Sequence, residues 1–157
     1  MKYIYFLLAS FLILNSCKEE EIIIDPNPSG PSLSCKIDGV DFEDNSPEIE
    51  IDLNDRISIT IEDLTHTLIL NISSIPFLEI TEGQTIYFSS AGMGVVSING
   101  SNYSNTINGP PYDGQIVFSS LEDETLSGTF SFKAQDVDPA VFTNILVTEG
   151  VFENISY

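Results

Sequence analysis

A period of two runs through most of this chain. Ile57, Ile59 and Ile61 alternate with Arg56, Ser58, Thr60 and Glu62. Leu68, Leu70 and Ile72 alternate with Thr67, Asn71 and Ser73. Leu33, Cys35 and Ile37 alternate with Ser34, Lys36 and Asp38, and Ile49, Ile51 and Leu53 with Glu48, Glu50 and Asp52. Strict alternation is the signature of a strand with one buried and one wet face. Helical periodicity of 3.6 is missing almost everywhere. Short strands punctuated by Gly, Pro and Asn predict an all-β antiparallel sandwich or flattened barrel.

The turns follow from the same reading. Asp38-Gly39 is a two-residue hairpin signal leading into Val40-Asp41-Phe42. Asn54-Asp55 turns the next pair. Strands are expected over 84–89, 95–99, 115–121 and 125–134. Ala91-Gly92-Met93-Gly94 reads as a flexible joint, and 99–108 as a polar loop carrying Tyr103. Asn108 to Gly114 is the clearest loop and carries Tyr112. Residues 135–143 read as a long turn. Residues 145–148 and 151–155, separated by Glu149-Gly150, read as a terminal hairpin.

The N-terminal part has a different character. Met1-Lys2 precedes a twelve-residue stretch, Tyr3 to Leu14, that is apolar apart from Ser10. It is too short to span a bilayer core of roughly 30 Å as a helix and has the length of a signal-peptide core. Leu14-Asn15-Ser16-Cys17 follows. This junction resembles the lipobox of bacterial lipoproteins. The resemblance implies diacylglyceryl thioether formation at Cys17, acylation such as palmitoylation, and removal of residues 1–16. The segment Lys18-Glu19-Glu20-Glu21 resembles the short signal that sends Bacteroidota lipoproteins to the outer face of the outer membrane. A periplasm-facing anchor is the alternative. Residues 17–32 contain Pro26, Pro28, Gly30 and Pro31 and read as a semi-extended tether. Residues 33–157 then form one domain.

Within that domain three short segments carry a further resemblance: Cys35 to Gly39, Gly128-Thr129-Phe130-Ser131-Phe132, and Gly150-Val151-Phe152. Together they resemble a set of small Bacteroidota cell-envelope lipoproteins built on a β-rich domain of unknown function. The resemblance implies fold and location and brings no catalytic residues. It puts Phe130 and Phe132 on the buried face, with Thr129, Ser131 and Lys133 outward.

Charge narrows the partners. The formal net charge is −19, from 24 acidic and 5 basic residues, and loses Lys2 with residues 1–16. Nucleic acid binding needs clustered Lys and Arg to release counterions, so nucleic acid is excluded as a partner. A polybasic hold on anionic lipid is excluded likewise. Membrane attachment is therefore expected only through lipid on Cys17. With that thiol lipidated, Cys35 stands alone and reads as a small buried apolar residue.

Candidate chemistry is sparse. His66 is the only His and reads as a surface residue, since triads and zinc sites need several partners. Glu48, Glu50 and Asp52 share one strand face and read as a solvated face, with a glycosidase carboxylate pair as the alternative. Asp41, Glu43, Asp44, Asp136 and Asp138 are oxygen-bearing candidates for calcium, though neither segment matches an EF-hand loop. Tyr103 and Tyr112 are candidate binding residues on loops. No cofactor is expected. The leading expectation is a lipid-anchored binding or structural module with a glycan or protein partner. The rival is a carboxylate-dependent hydrolase of glycan or peptide.

Overall fold

A computed structural model describes residues 30–72, 75–88, 92–106, 114–138, 140–141 and 143–157. Cys17, Lys18 to Glu21 and Tyr112 lie outside them. The described residues form eleven strands: β1 (Ser32–Ile37), β2 (Val40–Asp44), β3 (Glu48–Ile51), β4 (Ile57–Glu62), β5 (His66–Ile72), β6 (Thr85–Tyr87), β7 (Gly92–Ile98), β8 (Ser101–Ser104), β9 (Gly114–Ser120), β10 (Thr125–Asp136) and β11 (Asn144–Ser156). A 3-10 turn, Phe77–Glu79, precedes β6. Every pairing is antiparallel.

The strands make one sheet in the order β2-β1-β11-β10-β8-β7-β5-β4-β3, with β9 and β6 branching from β10. The branch is possible because β10 is twelve residues long. Ser127 to Phe132 pair with β9, whereas Gln135 and Asp136 pair with β8. The two ends of the main path, β2 and β3, are joined by residues 45–47 alone. Such a link reaches at most about 14 Å, so the sheet curls until its edges approach. Across this seam the Glu62 N–H donates to Asp44 Oδ2 at 3.3 Å. The result is an antiparallel half-barrel. The expected all-β class holds, and a single curled sheet supplies both walls that a sandwich would build from two.

Alternation fills the interior. Leu33, Cys35 and Ile37, Ile57, Ile59 and Ile61, and Leu68, Leu70 and Ile72 are all buried. Phe130 and Phe132 are buried, with Thr129 and Lys133 exposed, as the alternation requires. Phe118 and Phe152 meet edge-to-face at 5.7 Å, as do Phe88 and Phe132, a favoured aromatic geometry.

Four segments differ from the sequence expectations. Gly92 to Gly94 are not a joint but the start of β7. A Cβ on Gly94 would stand 2.7 Å from the Phe132 ring and one on Gly92 2.7 Å from the Phe88 ring, so these glycines admit aromatic rings. Residues 99–108 are not all loop. Asn99 and Gly100 take φ of 50° and 86°, the left-handed pair of a type I′ hairpin, and β8 follows. The expected turn over 135–143 starts later, because β10 continues to Asp136. The expected terminal hairpin is one thirteen-residue strand, β11. Glu149 is left-handed at φ 53°, and the register against β1 and β10 slips there. It is therefore a bulge, where one extra residue bends a strand without reversing it. Leu53, expected on the buried face, lies on the β3–β4 turn and is fully exposed.

Candidate functional site

The curl brings three distant pieces of sequence together at one rim of the sheet. The first is the β1–β2 hairpin, turned by Asp38 and Gly39 at φ 51° and 81°. Asp38 is fixed to β11, its N–H donating to the Leu146 carbonyl at 2.9 Å and its Oδ1 accepting from the Leu146 N–H at 2.8 Å. The second is the β4–β5 turn, residues 63–65. The third is the end of β7 at Ile98, where the Asn99 N–H donates to the Thr65 carbonyl at 2.9 Å. Between them lies a shallow groove of about 320 Å³, lined by Ile37, Val40, Phe42 and Ile98 and by Asp38, Asp41, Glu43, Asp63 and His66.

Asp63 holds the turn together. Its Oδ1 accepts the N–H groups of Thr65 and His66 at 2.6 and 2.7 Å and the Thr65 hydroxyl at 3.0 Å. His66 Nδ1 stands 3.0 Å from Asp63 Oδ2 and 2.7 Å from Thr65 Oγ1. Desolvation pushes the Asp63 carboxyl up, but these hydrogen bonds outweigh it and hold the group at about 2. The His66 ring lies 5.6 Å from that of Phe42, tilted by 59°. His66 is thus a half-buried, hydrogen-bonded residue at the groove wall.

The other candidates scatter. Asp41 and Glu43 line the groove. Asp44 is committed to the seam and to the Ser46 N–H, which donates to Oδ1 at 2.8 Å. Asp136 Oδ1 accepts from the Asp138 N–H at 2.9 Å, and Asp138 Oδ1 from the Ala140 N–H at 2.9 Å, the pattern of turn-forming aspartates. Among the described residues no group of three or more His, Cys, Asp or Glu is arranged to hold a metal ion. Glu48 and Glu50 are exposed on the edge strand β3. With Asp44 and Glu62, Glu48 lines a second shallow groove of about 230 Å³ at the seam. Tyr103, expected to project from a loop, sits in β8 half-buried and packs on the core. Cys35 is buried, and burial pushes its thiol up to about 12, far from a reactive thiolate. Lys36, beside the groove, pairs with Glu149 at 2.5 Å.

Sequence reasoning missed the groove and Asp63 in it. The available signal was Asp63-Leu64-Thr65 between two alternating runs, an Asp where its side chain can cap a turn.

A single curled antiparallel sheet with an acidic, part-apolar rim groove defines an all-β domain whose recognisable features are structural. Residues 29–156 match the family described as Domain of unknown function (DUF6252), and the chain belongs to that family. No curated protein and no solved structure matches the chain significantly.

Proposed function

We propose that this protein is a lipid-anchored cell-envelope binding module, held by Cys17 in the outer membrane and displayed on the cell surface. The observation that carries the reading is where the tether would join the domain. Ser32, the first residue of β1, pairs with Glu153 near the end of β11. Ile37, at the other end of β1, lines the groove. Five residues at about 3.3 Å each put the two ends roughly 17 Å apart. A lipid at Cys17 therefore tethers the domain by the end remote from its groove. The lipobox-like Leu14, Ser16 and Cys17 support the anchor, and the acidic segment after Cys17 supports export. The net charge of −19 supports a solvated, non-aggregating display domain.

Changing Lys18 to Glu21 all to Ala tests the routing. Metabolic palmitate labelling should persist, while protease added to intact cells should lose its access to the domain. A wild-type domain that resists protease until lysis would place the protein on the periplasmic side and remove the surface reading.

A further inference from the structure

We infer that the rim groove docks a cationic protein segment, taking an Arg or Lys side chain flanked by apolar residues. The inference rests on the anchored binding reading and names its site and partner chemistry. The apolar surface identifies the face. Val40 is 68% exposed on the groove wall, and Leu64, at the tip of the adjoining β4–β5 turn, is fully exposed. Beside Val40, Ile37, Phe42 and Ile98 line the groove. Exposed apolar surface rimmed by polar residues is characteristic of interaction sites.

Charge selects the occupant. Asp38, Asp41, Glu43 and Asp63 line the same groove, and ionised carboxylates are acceptors only. The one basic side chain among its lining residues is His66, already held by Asp63 and Thr65. Lys36 is drawn first to Glu149 and acts on Asp41 only as a lesser partner, so the carboxylates lining the groove outnumber the cations beside them. An Arg or Lys from a partner would lay its aliphatic stem on the apolar surface and its charged head among the carboxylates. The same field would repel acidic segments and so contribute selectivity.

The test uses the full chain, isotope-labelled and purified in zwitterionic micelles. The probe is the tripeptide acetyl-Leu-Arg-Leu-amide, and its control carries citrulline, the neutral isostere of Arg. The Arg peptide should saturably shift the backbone amides of Val40, His66 and Ile98, and the citrulline peptide should bind at least about tenfold more weakly. The double change Asp41→Asn with Glu43→Gln, and separately Val40→Ser, should each weaken binding several-fold. These positions are exposed and leave the Asp63 turn intact. Glu48→Gln with Glu50→Gln should leave it unchanged. Equal response to both peptides, shifts centred elsewhere, or equal loss in the Glu48/Glu50 variant would each overturn the inference. A protein that is lipidated in cells but ignores the peptide loses this inference alone. One that binds the peptide but is soluble and unlabelled by palmitate loses the anchored reading alone.

Discussion

Phe152→Ala is expected to lower the melting temperature of the domain by roughly 10–20 °C. Phe152 is fully buried. Its ring packs edge-to-face on Phe118 at 5.7 Å and stacks on Phe130 at 6.4 Å. Truncating such a ring typically costs about 3–5 kcal/mol through lost transfer energy and the cavity left behind. Domains of this size lose several degrees per kcal/mol, and whole-domain stability is only about 5–15 kcal/mol. Gly128 is the other half of the same contact. It pairs directly with Phe152 across β10 and β11. A Cβ at Gly128 would stand 2.4 Å from the Phe152 ring and 2.2 Å from the Val117 carbonyl oxygen. The ring can shift, but the carbonyl belongs to the neighbouring strand and cannot yield cheaply. Gly128→Ala should therefore destabilise about as strongly as overpacking allows, roughly 1–3 kcal/mol or more. Ser131→Ala, outside the core, should stay within about 0.5 kcal/mol of wild type. Thermal unfolding followed by circular dichroism measures all three. A Ser131→Ala loss equal to that of Phe152→Ala would mean that the faces of β10 and β11 are misassigned.

Cys17→Ser is expected to remove palmitate labelling altogether and to release the protein from the outer membrane. A thioether-linked lipid contributes about 0.8 kcal/mol per buried methylene, and several chains are needed for stable anchoring. Oxygen in place of sulfur removes the nucleophile on which the first chains are built. Among the described residues nothing replaces it. The net charge of −19 opposes attachment to anionic lipid, and among the described residues no helix is long and apolar enough to cross a membrane. Globomycin, which blocks lipoprotein signal cleavage, should cause the uncleaved wild-type precursor to accumulate. Unlabelled, soluble wild-type protein would contradict the assignment of Cys17.

The core was legible because alternation is a local property. Leu33, Ile59, Leu70 and Phe132 each declare their face through their immediate neighbours, and all are buried. The misreadings arose where one local signal serves two structures. Glu149-Gly150 looks like a hairpin turn, and a left-handed residue before Gly is equally what a bulge uses. Only the register against β1 and β10 separates them. Gly92 and Gly94 look like a hinge until the rings of Phe88 and Phe132 are placed over them. Asn99-Gly100 is a strong hairpin pair, but the Asn, Ser and Gly around it made the stretch resemble a loop.

The groove was less legible still. Asp41 and Glu43 read as weak calcium candidates, His66 as a lone surface residue, and Asp63 drew no notice. Their convergence depends on how far the sheet curls, which is set by the short link between its edge strands. No periodicity encodes that curl.

The surface display of the rim is tested most directly by a cysteine placed on it. Val40→Cys introduces a thiol at an exposed position of the groove wall. The wild-type background should be silent, because Cys17 is expected to carry lipid and Cys35 is 4% exposed with its thiol pushed up to about 12. A maleimide carried on a large polyethylene glycol, too bulky to cross the outer membrane, is added to intact cells, and the mass shift is read on a blot. The Val40→Cys protein should be modified on intact cells to the same extent as after lysis, while wild type stays unmodified in both. Modification of the variant only after lysis would contradict it.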